Sequence, residues 1–398
     1  MTYYRRVGEV PRKRHSQFRD PSGRLYAEEL VGIEGFFNES SLLYHRHTPN
    51  ALVAAEPVEV PALTEVPVPP APLLPRRFQT HDLAASGDMV AGRRLVLANR
   101  DVRISYVVAR EPSPLFRDAR GDELVFIEAG SATLESPYGP LPVGQGDYVV
   151  LPMGCVHRWL PAPGGELRAL VIEAAGHVGI PARYLSPRGQ LLETAPYHER
   201  DLRGPDELPA AAEGSAEVIV RHRDGVTRHV FAHHPFDVVG WDGCVYPYAL
   251  SIYDFEPIVK RFHAPPPVLE TFCGRGFVVC SFCPRPVDFD PSAVPAPYAH
   301  SSVDCDEVMF FMSGAYATRP DVRPGTVTFH PAGFTHGPAP GAAEASIAVR
   351  SHEEYAVMLD AFEPLSLGAA AGECADPEYH LGWHRPVQGE GRAQGEGT

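Results

Sequence analysis

In the stretch "RPGTVTFHPAGFTHGPAPG", residues 323–341, two histidines six apart, His330 and His336, flank Pro331-Ala332-Gly333. A strand-like run stops at one histidine, turns on Pro and Gly, and at once presents another. Upstream, "PYAHSSVDCDE" offers His300 and Glu307. His300, Glu307 and His336 together supply two imidazoles and one carboxylate, the facial set that holds Fe(II) and leaves coordination positions open. On that reading the Pro-Gly turn aims His336 at the metal and leaves His330 just outside. His330 is then a candidate acid–base group or a hydrogen-bond donor to a ligand. Asp304 and Asp306 compete for the carboxylate role. Side chains alternate along a strand, so Glu307, Met309 and Phe311 share one face and Asp306 falls on the other, which favours Glu307.

Such a set needs a rigid frame. From about residue 78, short apolar runs recur between Gly, Pro, Asp and Asn: "RRLVLANR", "ELVFIEAG", "DYVVLPMG", "LRALVIEA". A second series fills 216–350: "AEVIVRHR", "RGFVVCSFC", "EVMFFMSG", "GTVTFHPAG", "EASIAVRSH". This spacing predicts an antiparallel sandwich or barrel. The two series align. "GDYVVLPMGCVH" (146–157) and "GTVTFHPAGFTH" share Gly, five residues, Pro-x-Gly, two residues, His. Glu123 stands seven residues before Gly130, as Glu307 stands seven before Gly314. The chain therefore resembles a bicupin, two jelly-roll β barrels in an all-β dominated fold. The first copy has Glu123 and His157, but "PLFRDARGD" before Glu123 holds no histidine, so that barrel reads as structural.

The organisation expected is an N-terminal lead and Pro-rich connector (1–77), a degenerate barrel (78–215), a catalytic barrel (216–388) and a low-complexity tail (389–398). The connector "EPVEVPALTEVPVPPAPLLPRR" reads as stiff and extended. "SHEEYAVMLDAF" (351–362) reads as a short C-terminal helical segment. The "YHRH" pair, His45 and His47, lacks a companion motif and reads as surface or interface. The hydrophobic share of 44% and charged share of 21% are those of an ordinary globular chain. Net charge of −15 would repel a polyanion, which argues against a nucleic-acid partner. With no apolar run near membrane length and no signal-like start, a cytoplasmic protein without membrane contact is expected. Seven irregularly spaced cysteines read as reduced thiols, not a disulfide framework.

Four segments, "PFDVVGWDGCVYPY" (235–248), "PYAH…DEVMFFMSGAY" (297–316), "FHPAGFTHGP" (329–338) and "EPLSL…CADPEYHLGWH" (363–384), resemble the homogentisate 1,2-dioxygenase family, in that family's order. The resemblance implies ring opening of homogentisate by O2 to maleylacetoacetate, with Fe(II) on His300, Glu307 and His336. It implies an acid–base histidine at His263 in "KRFHAPPP", a hydroxyl-binding Tyr298, and Tyr316 with Arg319 for the acetate arm, Arg319 standing where the family has lysine. It also implies a symmetric homo-oligomer whose partners are a small aromatic acid and O2. Two other readings stay open: the same chemistry on another substituted hydroquinone or gentisate-like acid, and a non-catalytic metal-binding bicupin.

Overall fold

The runs Glu123–Ala129 (ELVFIEA) and Asp306–Ser313 (DEVMFFMS) are apolar on both faces, and each becomes a central strand of an eight-stranded sheet. The computed structural model describes residues 3–263, 265–314 and 322–384. In the first sheet, Glu123–Ala129 lies between Asp147–Leu151 and Leu167–Ala174, all antiparallel. In the second, Asp306–Ser313 lies between Thr326–His330 and Tyr355–Ala361, again antiparallel. The repeat seen in the sequence is thus a repeat of strand order. Neither ladder closes on itself: the first runs out to Leu202–Arg203 and Ser366–Leu367, the second to Val178–Gly179 and Ala375–Asp376. The fold is an all-β cupin arrangement with open sheets.

The two sheets exchange strands. Tyr248–Ser251 pairs with Asp147–Leu151, while Arg76–Gln79 pairs with Thr326–His330. Between them lies one continuous core, because alternate residues of each central strand point the same way. Leu124 and Phe126 from one strand meet Val308, Phe310 and Met312 from the other. Phe126 and Phe310 rings sit 6.1 Å apart, edge to face. The opposite face of the first strand, Val125 and Ile127, packs into a separate cluster around Trp159.

The N-terminal lead folds as strands. Arg5–Gly8, Ala27–Gly32 and Ser40–His45 form a four-stranded sheet with Val238–Gly243. His45 is therefore not a surface group: it is 2% exposed and bonded to Asp237 and Glu29, while His47 is half-exposed and stacks on His233 at 4.2 Å. The Pro-rich connector is extended apart from one helical turn, Pro61–Thr64, opened by proline at its first position.

Two secondary-structure expectations also fail. Residues 351–362 are strands, Ser351–His352 and Tyr355–Ala361, not a helix. Pairing on both sides, to Phe277–Phe282 and Asp306–Ser313, overrides the helix preference of Glu, Ala, Met and Leu. Conversely, the strand-like "EASIAVRSH" begins inside a helical turn, Ala342–Ser346. The short C-terminal helix is Ala369–Cys374. All seven cysteines are unbridged, and no helix among the described residues is long and apolar enough to cross a membrane.

Candidate metal centre

Glu307 is the second residue of its strand and registers opposite His330 on one neighbour and Asp360 on the other. Asp306, on the opposite face, ties the frame: its carboxylate accepts the backbone N–H of Ala332 at 2.8 Å and of Leu365 at 2.7 Å. The first bond fixes the Pro331–Gly333 turn, in which Gly333 has φ +76°, a left-handed conformation glycine adopts without cost. The chain leaves that turn to place His336 beside His300. The two residues exchange both backbone N–H···O bonds at 2.8 Å.

Both imidazoles are oriented the same way. His336 donates Nδ1–H to the Phe334 carbonyl at 2.9 Å, and His300 donates Nδ1–H to the Tyr298 carbonyl at 3.1 Å. That leaves each Nε2 as the lone-pair atom. The Nε2 atoms lie 3.2 Å (His336) and 3.6 Å (His300) from the Glu307 oxygens. One ligand atom from each of the three converges within 4.8 Å. Nε2 of His336 is buried and makes no hydrogen bond among the described residues, an arrangement a cation would satisfy. Burial pushes the Glu307 carboxyl up, but the surrounding imidazoles of His300, His330 and His336 hold it well below its ordinary value. A carboxylate and two oriented imidazoles fit a transition-metal ion.

His330 stands behind the triad. It is 1% exposed, meets Glu307 Oε1 through Nδ1 at 3.2 Å and Tyr379 Oη through Nε2 at 3.1 Å, and stacks on His336 with ring centres 4.0 Å apart. Tyr379 and Trp383, from the C-terminal "CADPEYHLGWH", close this side; Trp383 donates to the Gly337 carbonyl at 3.2 Å. Sequence reasoning missed Tyr379 as a site residue, although its segment "CADPEYHLGWH" carries part of the family resemblance.

In front of the triad is a cavity of about 350 Å³ lined by Glu307, Met309 and Phe311 from one strand face, with His263, Tyr298, His300 and His336 around it. The His263 and Tyr298 rings lie edge to face at 5.1 Å. Burial lowers the His263 pKa, so the ring is neutral near pH 7. Arg285, Glu354 and His352 also line the cavity and were not anticipated. Arg285 Nη2 reaches Glu354 Oε1 at 3.3 Å; burial and the Arg285 charge pull His352 down to about 4. Burial and the Glu307 charge push Asp360, beside Glu307, up to about 7. Tyr316 and Arg319 lie outside the described residues.

The family described as homogentisate 1,2-dioxygenase N-terminal matches residues 80–254. A curated protein of Saccharolobus solfataricus, named "Putative dioxygenase SSO1533", is 34% identical over 388 residues, covering 96% of this chain and 100% of its own length. The chain belongs to the homogentisate 1,2-dioxygenase-like family. Membership and the named relative both support a dioxygenase. The family match spans the first series of strands and includes the segment "PFDVVGWDGCVYPY" (235–248). Among solved structures, a cupin 2 conserved barrel domain protein from Leptotrichia buccalis is 10% identical with TM-score 0.33, covering 74% of this chain and 99% of its own. A glyoxylate-induced protein from Pseudomonas aeruginosa is 11% identical with TM-score 0.35, covering 79% and 97%. Both likenesses are loose.

Proposed function

We propose that the chain is an Fe(II)-dependent ring-cleaving dioxygenase that converts homogentisate and O2 to maleylacetoacetate. The observation that carries this reading is the convergence of His300, Glu307 and His336 at one wall of a cavity that also holds His263 and Tyr298. Fe(II), when held by those three side chains, supplies a redox centre with open positions where an aromatic diol and O2 can meet.

The chain's own residues do the rest. Neutral His263 accepts a proton from a ring hydroxyl of the hydroquinone, and Tyr298 hydrogen-bonds a hydroxyl at the cavity mouth. Met309, Phe311 and Phe282 form apolar walls that exclude water and strengthen each polar contact made inside. His330 holds Glu307 in place from behind. Arg319 and Tyr316 are the proposed anchors of the acetate arm. The partners are then a small aromatic acid and O2, in a homo-oligomer of the family's kind.

The second reading is the same chemistry on another substituted hydroquinone or gentisate-like acid. The cation described in the cavity, Arg285, is already engaged by Glu354, whose carboxyl is raised by burial. Anaerobic Fe(II) loading followed by aerated turnover of homogentisate and gentisate side by side separates the two. One O2 consumed per homogentisate, with gentisate inert, supports the first; the reverse order supports the second; no O2 uptake with either overturns the dioxygenase assignment to hydroquinone acids.

A further inference from the structure

The first half keeps nearly every part of the metal centre's frame. Glu123 registers opposite Leu151 and Glu173, as Glu307 does opposite His330 and Asp360. Asp122 accepts the N–H of Met153 at 2.7 Å, as Asp306 accepts that of Ala332. His157 donates Nδ1–H to the carbonyl two residues back, Cys155, at 3.1 Å, as His336 does to Phe334. The backbone bridge His300↔His336 has its counterpart in Phe116↔His157. Phe116 also precedes Glu123 by seven residues, the spacing of His300 and Glu307. Phe116 therefore stands where the third ligand would be.

What fills the centre is a guanidinium. Arg93, 2% exposed, places Nη1 at 2.6 Å from Glu123 Oε1 and 2.7 Å from Glu173 Oε1, with its charged carbon 5.2 Å from the centre of the Phe116 ring. Arg221, equally buried, binds Glu173 and, at 3.2 Å, Asp118. Several buried atoms of this cluster still lack a hydrogen bond among the described residues: His157 Nε2 and Glu123 Oε2, 3.6 Å apart, together with Glu173 Oε2 and one guanidinium nitrogen each of Arg93 and Arg221. Asp118, Glu123 and Glu173 offer ligand atoms within 4.8 Å of one another.

We infer that the first half is a second metal-centre scaffold whose resident cation is the side chain of Arg93, and that it accepts a divalent transition ion once Arg93 is removed and Phe116 is exchanged for histidine. A guanidinium is a fixed, permanently charged fork. It neutralises the buried carboxylates and stacks on the aromatic ring that displaced the third imidazole. It offers no open coordination position, so this half binds no O2 and stays assembled when metal is stripped from the other.

The test uses Co(II) alone as the probe, in a His300→Ala background that weakens the other centre. The His300→Ala protein is expected to take up no ion that Glu123→Gln abolishes. Adding Arg93→Ala and Phe116→His should raise Co(II) uptake by one per chain, with visible ligand-field absorption, and further Glu123→Gln should remove it. Ion uptake in His300→Ala that depends on Glu123 overturns the proposal, as does a folded triple variant that gains no ion. Should the triple variant not fold, Arg93→Lys against Arg93→Met in the parent decides. The proposal requires Arg93→Met to lower Tm well below Arg93→Lys; equal Tm values overturn it.

Discussion

Glu307 is held by more than its own strand. His330 meets its Oε1, Tyr379 meets His330, and His330 stacks on His336. This relay fixes the carboxylate and one imidazole together, so His330 is a positioning residue. His330→Asn should keep the fold but weaken metal affinity 10–100-fold, the usual cost of an outer partner. Equilibrium dialysis with Co(II) reads this directly. His263 faces the cavity instead; His263→Phe should leave the metal bound and drop turnover by roughly 10²–10⁴ if it moves the hydroxyl proton. Full turnover in that variant would shift the proton to water. Glu307 and His336 were legible because two motifs repeat with matched offsets, and His300 because it opens the segment that leads into Glu307. Tyr379 was not, since 49 residues separate it from His330 and nothing in the spacing links them. The replacement of the third ligand in the first half showed only as a missing histidine; the backbone bridge identifies Phe116.

At the scale of elements, the turn Pro331–Gly333 depends on Asp306, and the N-terminal sheet depends on His45. Burial pulls His45 down, but Asp237 and Glu29 overcome it and raise its pKa to about 9. A group raised on folding stabilises fully below its unfolded value of 6.5 and loses that contribution as pH rises through about 9. The shift corresponds to about 3 kcal/mol. Burial pushes Asp237 and Glu29 up, but His45 outweighs it and holds both low, so their share is lost as pH falls through the carboxylate range. Denaturant unfolding at pH 6 and pH 10 should show the loss in the parent and a much flatter response in His45→Gln. Equal slopes would remove His45 from the account. The histidine pair gave no sequence signal of this role, because Asp237 lies 192 residues away. The strand at 355–361 was misread for a related reason: its composition suits a helix, and only its two neighbours decide otherwise.

Across the whole molecule, one core joins the halves, with Phe310 packed 6.1 Å from Phe126 and 6.2 Å from Tyr106, ring to ring. Strands are exchanged in both directions between the sheets. The halves should therefore melt together. Phe310→Ala should cost about 3–5 kcal/mol and lower a single calorimetric transition. Two separated transitions in the parent would show that the halves are independent. The repeat and its all-β character were readable from turn spacing, whereas strand exchange was not, since no local pattern records which distant edge a short strand will join.

The central claim is that His300, Glu307 and His336 hold the metal and that the matching His157 does not. Metal content after anaerobic Fe(II) loading, measured on His336→Ala and His157→Ala beside the parent, tests it most directly. The expected result is about one iron per chain in the parent and in His157→Ala, and none in His336→Ala. Iron at the parental level in His336→Ala, or its loss in a folded His157→Ala, would contradict it.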